Sequence, residues 1–507
     1  MRCPSRAARA ASLVLALTAC HASPRPATAV RLTAVQQLQH DIDAILAAPA
    51  LGHGVWGVLV ASLGAPADGD TLYSLNARTL LMPASNMKIV TLAAAAERLG
   101  WGYQYETRLL AAGPVEAGTL HGDLVVVGSG DPSIGSREGA ATRVFDGWAD
   151  ELVRRGIRRI DGRIIGDDNA FEDETLGAGW TWDDLGEGYA AGAGALQFNE
   201  NTVRAAIAPG FAVGDAAIVS VEPAGSGLLI HNELKTSASG APASIEASRL
   251  AGRTDVTLRG TVPFAAAPST HALSVDNPTL FFVTVLRTTL IAHGISVSGG
   301  AVDIDDISAA PPHDGAAVLL SYRSPPLSAL AVALMKVSQN LYGETLLKTM
   351  GAAGGLATAR AGRAAVLAAL EPWGIEPGGL IQRDGSGLSR YNYVTPQTLV
   401  AILTHVGRDD RLRGPFEAAL PIAGRDGTLA RRMIGTPAED NVRAKSGSIA
   451  NVRALSGYVR TADGEPLVFS ILGNNFDTSA PGVEQASDAI VVRLAQFSRH
   501  AAQTPRR

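Results

Sequence analysis

The chain has 507 residues, 46% hydrophobic and 18% charged, a globular composition long enough for roughly three domains of about 150 residues. Its 43 basic and 48 acidic side chains leave a formal charge of −5, so no single-sign field speaks for nucleic acid as a partner. The two cysteines, Cys3 and Cys20, both precede the segments expected to fold, which excludes a disulfide framework and thiol redox chemistry.

At the N-terminus Arg2, Arg6 and Arg9 precede an uncharged stretch from Ala10 to Ala19, too short to span a bilayer, and the pattern predicts an export signal. Its end, Leu17-Thr18-Ala19-Cys20, resembles a bacterial lipobox, which implies that Cys20 becomes the lipidated first residue of the mature chain. Cleavage after Ala27-Thr28-Ala29 is the alternative. Either route places the mature chain outside the cytoplasm, in the periplasm, and no later run offers the ~18 consecutive apolar residues of a membrane span.

Apolar residues at helical spacing predict a helix from Ala34 to Leu46, and Gly54 to Leu63 and Thr71 to Leu75 read as two strands joined by a turn-rich segment. Pro83-Ala84-Ser85 opens a nearly all-apolar run from Asn86 to Leu99 that stops at Gly100, the pattern of a buried helix. From 101 to 313 the character changes to short β-type runs such as Leu124 to Val127 and Ala217 to Val221, with helical patterns near 142–155 and 277–293 and an exit at Pro311-Pro312. Helical patterns return at 325–350, 361–370 and 396–405, followed by strand-like runs Val452 to Arg460 and Leu467 to Leu472 and a helix near 484–498. The two ends share one α+β character. They predict a catalytic domain of residues 30–100 plus 314–507, after a signal and linker at 1–29, interrupted by inserted domains at 101–175 plus 271–313 and at 176–270.

Ser85-Asn86-Met87-Lys88 puts a hydroxyl and an amine three residues apart on a helix, hence on one face. A serine becomes a nucleophile when a base takes its proton, and a neutral lysine amine is such a base. Ser85 at a helix N-terminus also has free N–H groups and the macrodipole beside it. A serine N-cap followed by a surface lysine is the ordinary reading of such a pair, but the apolar helix speaks against a solvated lysine. Lysine is scarce here, at 5 residues against 38 arginines, and unlike arginine it can give up its proton. Two further elements are Ser338-Gln339-Asn340, after the helical run Leu327 to Val337, and Lys445-Ser446-Gly447-Ser448, the chain's one Lys-[Ser/Thr]-Gly, just before the strand from Val452.

In this order the three elements resemble the serine penicillin-recognising enzymes. The 250 residues between Lys88 and Ser338 make the chain similar to the class C low-molecular-mass penicillin-binding proteins, the D-alanyl-D-alanine carboxypeptidase/endopeptidases. Flanking stretches carry the likeness further: Gly128-Ser129-Gly130-Asp131-Pro132, Asn199-Glu200-Asn201-Thr202-Val203, Asp384 to Arg390 and Gly427-Thr428-Leu429. The resemblance implies an α+β catalytic domain of the β-lactamase/penicillin-binding-protein type, an antiparallel sheet flanked by helices, with a large β-rich insertion of about two small domains.

It also implies roles. Ser85 is the acylated nucleophile, Lys88 its base, Ser338 a relay to the leaving amine and Asn340 a guide for the substrate amide. Lys445 meets the terminal carboxylate and holds down the proton affinity of Lys88, while the N–H groups of Ser85 and Ser448 form an oxyanion hole, with Ser446 and Gly447 beside them. The implied substrates are peptidoglycan stem peptides, cut at the D-Ala-D-Ala end and at D-Ala cross-links; β-lactams are covalent inhibitors, and neither cofactor nor metal is called for. Gln339 and Ser446 depart from the commoner aspartate and threonine. A β-lactamase or esterase on the same fold, or a wall-binding or β-lactam-sensing protein with an idle triad, are the alternatives.

Other signals point elsewhere. Gly128-Ser129-Gly130 lacks the spacing of a nucleotide loop, the ten histidines form no H-E-x-x-H, and there is no G-x-S-x-G elbow. Asp167, Asp168, Glu172, Asp173 and Glu174 lack calcium-loop spacing and are expected to form a solvated acidic turn.

Overall fold

The computed structural model describes residues 32–64, 70–308, 311, 315–352 and 355–500. The expected signal with Cys20, and residues 65–69 of the first turn, lie outside them. The opening helix, Ala34–Leu46, begins where Thr33 and Gln36 cap each other reciprocally: the Thr33 hydroxyl accepts from the Gln36 N–H and the Gln36 amide oxygen from the Thr33 N–H.

Five strands form an antiparallel sheet in the order Thr71–Leu75, Val55–Ser62, Pro466–Asn474, Val452–Arg460, Arg443–Ile449. The two ends of the chain therefore build one sheet, as their shared character predicts. Helices Ala34–Leu46 and Ala480–Ala495 cover one face, packing Leu38, Ile42, Ile490 and Leu494 on Val58, Val60, Phe469 and Ile471. Helix Pro396–Arg408 covers the other face, and behind it Met87–Leu99 is buried on nearly every side, which is why its sequence shows no polar stripe.

The helical pattern expected over 325–350 is two helices, Leu327–Lys336 and Asn340–Met350. The break lies at Ser338, in the left-handed region at φ 63°, and the Gln339 side chain caps the second helix by accepting from the Leu341 N–H. A further helix, Asp410–Ala419, is not signalled in the sequence because Pro415 lies inside it. Pro415 has no N–H for the Arg411 carbonyl, which accepts the Trp101 indole N–H instead at 3.1 Å.

Between these parts lies the β-rich insertion. Its mixed five-stranded sheet runs Ala301–Asp303, Ile164–Asp167, Asp123–Val127, Glu106–Ala112, Ala317–Arg323, with smaller sheets around Thr202–Ala208 and Asp255–Pro263. Phe145, Trp148, Phe198, Phe281 and Phe282 meet in stacked, tilted and edge-on pairs at centroid distances of 4.8 to 5.3 Å. The same apolar cluster continues to Val256, Leu258 and Val262. The acidic turn is not uniformly solvated: Asp167 is buried at the end of its strand, where it accepts from the Asn169 N–H, and Asp168 is half-buried, because the sheet ends under helix Pro278–Ala292.

Candidate active site

Ser85 stands in the short turn Ala84–Asn86 that leads into helix Met87–Leu99. Ala84 is left-handed, with φ 45°. One turn on, the Lys88 ammonium nitrogen lies 3.1 Å from Ser85 Oγ, 2.6 Å from Asn340 Oδ1 and 2.7 Å from the Ser386 carbonyl. Lys88 is fully buried, and that burial pulls its pKa down to about 7 against the opposing pull of Asp384 and Glu344. A lysine poised near neutrality is available as a base for the hydroxyl beside it.

Asn340 is the first residue of its helix, and its amide nitrogen donates to the Tyr189 carbonyl at 2.8 Å, which turns its oxygen toward Lys88. Ser338, two residues earlier, lines the same cleft. Lys445 lies on the sheet's edge strand, Arg443–Ile449; the motif is on a strand of its own, ahead of the one beginning at Val452. Its ammonium donates to the Ser446 carbonyl at 2.8 Å, and the Ser446 hydroxyl donates to Thr428 Oγ1 at 2.6 Å.

Burial adds to the effect expected of Lys445 on the proton affinity of Lys88: it is the first cause of the low pKa of Lys88, and Lys445 is pushed well below its ordinary value by burial first and by the nearby Lys88 second. Repulsion between two buried ammonium groups is mutual, so each lowers the proton affinity of the other.

Two glycines bring the edges of the site together. At Gly447 a Cβ would stand 2.7 Å from the Pro83 carbonyl and 3.1 Å from the Ser85 N–H; Gly387, at φ 91°, passes against the Ala84 carbonyl. The cleft between them, about 810 Å³, is lined by Ser85, Ser338, Asn340, Ser446 and Ser448, and also by Thr181, Asp184, Tyr189, Arg390 and Thr428. The structure thus brings together Ser85, Lys88, Ser338, Asn340, Lys445, Ser446, Gly447 and Ser448.

Two buried acids lie beneath the site: Asp384, which opens one of the stretches named from the sequence, and Glu344, which the sequence reading did not single out. Asp384 accepts from the N–H groups of Gly387 (2.8 Å) and Ser389 (2.6 Å), from Asn392 Nδ2 (2.6 Å) and from the Trp180 indole (2.9 Å). Glu344 accepts from the N–H groups of Gly385 (2.9 Å) and Ser386 (2.8 Å), and so clamps the segment leading into the Ser386 carbonyl that accepts from Lys88. Burial and the adjacent Asp384 raise the Glu344 pKa. The available signal was spacing: Glu344 lies four residues after Asn340, on the same helix face.

Away from the cleft, Asp168, Asp303 and Asp305 bring one carboxylate oxygen each within 4.8 Å of one another. Asp168 accepts from Thr279 Oγ1 and Asp303 from Asn277 Nδ2, so two of the three already have protein partners.

Residues 38–497 match the D-Ala-D-Ala carboxypeptidase 3 (S13) family. The chain is 37% identical to a D-alanyl-D-alanine carboxypeptidase of Actinomadura sp. over 98% of this chain and 92% of that one. It is 28% identical to the D-alanyl-D-alanine carboxypeptidase DacB of Haemophilus influenzae, over 84% and 86% of the two chains. The crystal structure of penicillin binding protein 4 (dacB) from Haemophilus influenzae superposes with a TM-score of 0.78 at 25% identity, covering 91% of this chain and 99% of that one. The mixed α+β architecture expected from the sequence is the architecture of that neighbour, and the chain belongs to the D-Ala-D-Ala carboxypeptidase 3 (S13) family.

Proposed function

We propose that the chain is a serine DD-peptidase that hydrolyses the D-Ala-D-Ala terminus of peptidoglycan stem peptides, and D-Ala cross-links between them, through an acyl-enzyme. The observation that carries this is Lys88 Nζ, fully buried and 3.1 Å from the Oγ of Ser85, which lines the cleft. Lys88 takes the Ser85 proton as Oγ attacks the carbonyl carbon of the penultimate D-Ala. The resulting oxyanion lies between the N–H groups of Ser85 and Ser448. Ser338 passes a proton to the departing amine, Asn340 orients the substrate amide, and the C–N bond breaks to release D-Ala. Water then attacks the ester, returning Ser85 and the shortened peptide. Lys445, with Ser446 and Ser448 on the edge strand, meets the terminal carboxylate, and Gly447 lets that strand approach the nucleophile.

A β-lactam enters the same path, because its strained amide stands where the D-Ala-D-Ala bond would and its leaving group stays tethered. Incubation with disaccharide pentapeptide and mass analysis of the products is expected to show loss of one alanine residue. Fast turnover of a β-lactam with no alanine release would instead make the protein a β-lactamase.

We also propose export to the periplasm and lipidation at Cys20. On this reading the acyl chains are the attachment, one holding weakly and several firmly; no helix among the described residues is long and apolar enough to cross a membrane. A mature form recovered in the soluble fraction and starting near Val30 would refute the anchor alone. The division into a catalytic domain and two inserted domains is likewise our reading. The pairing of Ala317–Arg323 with Glu106–Ala112 favours a return to the catalytic domain after Arg323.

A further inference from the structure

The insertion touches the cleft at the loop Ser338-Gln339-Asn340, and it does so through a turn of unusual construction. Asn199, Glu200 and Asn201 are left-handed in succession, at φ 53°, 57° and 53°. Asparagine tolerates this region; glutamate seldom adopts it. Both asparagine side chains staple the turn. Asn199 accepts from the Ser136 N–H at 3.1 Å and donates to the Thr202 carbonyl at 2.8 Å, while Asn201 accepts from the Phe198 N–H at 3.1 Å and donates to the Gly192 carbonyl at 2.8 Å. The half-buried Glu200 is thereby held at the apex, where its Oε1 accepts from Arg137 Nε at 2.6 Å and its Oε2 from Gln339 Nε2.

Gln339 is the middle residue of the motif. Its amide oxygen accepts from the Leu341 N–H at 3.1 Å and its amide nitrogen donates to Glu200, so both ends of the amide are engaged. Ser338 before it is left-handed, a conformation a free serine would leave. Asn340 after it is tied to the Tyr189 carbonyl, also in the insertion. The residues that face Ser85 and Lys88 thus flank one whose side chain is gripped from outside the catalytic sheet.

We propose that Glu200 is a positioning residue for acylation: backed by Arg137, its carboxylate fixes the Ser338-Gln339-Asn340 loop through Gln339. This rests on the role given above to Ser338 and Asn340, and it makes the insertion part of the catalytic apparatus. If the grip is lost, Ser338 can relax toward negative φ, its hydroxyl swings, and Asn340 shifts against Lys88. Displacements of ~1 Å at such groups cost on the order of a hundredfold in rate.

The test is the rate constant for acylation of Ser85 by a fluorescent penicillin, read beside the melting temperature. Asparagine suits the left-handed backbone but is too short to reach Gln339, so Glu200→Asn removes the grip and spares the turn. Glu200→Asn and Gln339→Ala are each expected to slow acylation about tenfold. The double variant is expected within about twofold of the slower single one, because both changes remove the same bond. Glu200→Gln, whose amide oxygen still accepts from Gln339, is expected to stay within about threefold of the parent protein.

Acylation at the parental rate in Glu200→Asn or in Gln339→Ala overturns the proposal, as does an additive loss of about a hundredfold in the double variant, or a Glu200→Gln protein no faster than Glu200→Asn. Gln339 is half-buried on a loop, so its alanine variant tests the proposal even where changes at Glu200 impair folding. Ser338→Ala, measured alongside, separates the two readings: if it acylates normally, the role assigned to Ser338 has failed, and if it is slow while the Glu200 and Gln339 variants are not, the positioning role alone has.

Discussion

Lys88 is surrounded by a hydroxyl, an amide oxygen and a peptide carbonyl, and its pKa of about 7 determines when it can act as a base. Below that value the amine is protonated, so acylation of Ser85 should rise with pH through about 7 and level off above it. The sign for stability follows from the same shift: between about 7 and the ordinary 10.5 the unfolded chain binds more protons, so Lys88 favours folding more as pH rises through that window. Glu344 opposes the depression of Lys88 and clamps the Gly385-Ser386 peptide. Glu344→Gln is therefore expected to move the acid limb of the acylation profile to lower pH. An unmoved limb in a stopped-flow pH series would remove Glu344 from the proton balance. Ser85 and Lys88 were legible in the sequence because one helical turn joins them and an apolar helix carries them. Glu344 was not, because a glutamate on a helix looks like a solvated one until the Gly385 loop packs over it.

The elements that hold the site meet at glycines. Gly447 lets the edge strand pass the nucleophile turn, and the Cβ of a Gly447→Ala variant would press on the Pro83 carbonyl at 2.7 Å. Of its three nearest atoms the Pro83 carbonyl and the Ser85 nitrogen are backbone and the third is the short Ala454 Cβ, so strand and turn must separate, and a loss of acylation on the order of a hundredfold is expected with little change in melting temperature. Parental acylation kinetics in that variant would show that the strand has slack. Strands Val452–Arg460 and Thr71–Leu75 have the bounds their patterns predict, since both carry enough buried apolar residues to show a period. The edge strand Arg443–Ile449 escaped because Lys445, Ser446 and Ser448 leave it without an apolar period, the two serines lining the cleft and the lysine lying buried. The run Leu327 to Val337 marked the first helix to within one residue of its end at Lys336, but the wider pattern over 325–350 did not show a second helix starting at Asn340, because the separation rests on the left-handed backbone of Ser338.

Across the whole molecule, the insertion and the catalytic sheet are tied by buried polar groups as well as by packing. Lys348, on the helix that begins with Asn340, donates to the carbonyls of Glu174 at 2.5 Å and Ala193 at 3.1 Å and lies 3.9 Å from the Glu172 carboxylate. Lys348→Met leaves those carbonyls without a donor, and a loss of about 2 kcal/mol is expected in a denaturant melt, with Ser85 acylation retained in the folded fraction. A stability equal to the parent's would mean that Lys348 adds nothing to the joint between the two parts. That the chain ends form one sheet was legible because both share one α+β pattern. That the insertion has a continuous core was not, since nothing in the short β runs shows that Val256 and Leu258 join the cluster around Phe145 and Phe282. All these parts serve one claim, that Ser85 is the nucleophile activated by Lys88. Its most direct test is peptide mapping after exposure to a labelled penicillin: one adduct is expected, on the peptide containing Ser85 and absent from a folded Ser85→Ala protein, whereas an adduct on another serine, or undiminished labelling of that variant, would contradict it.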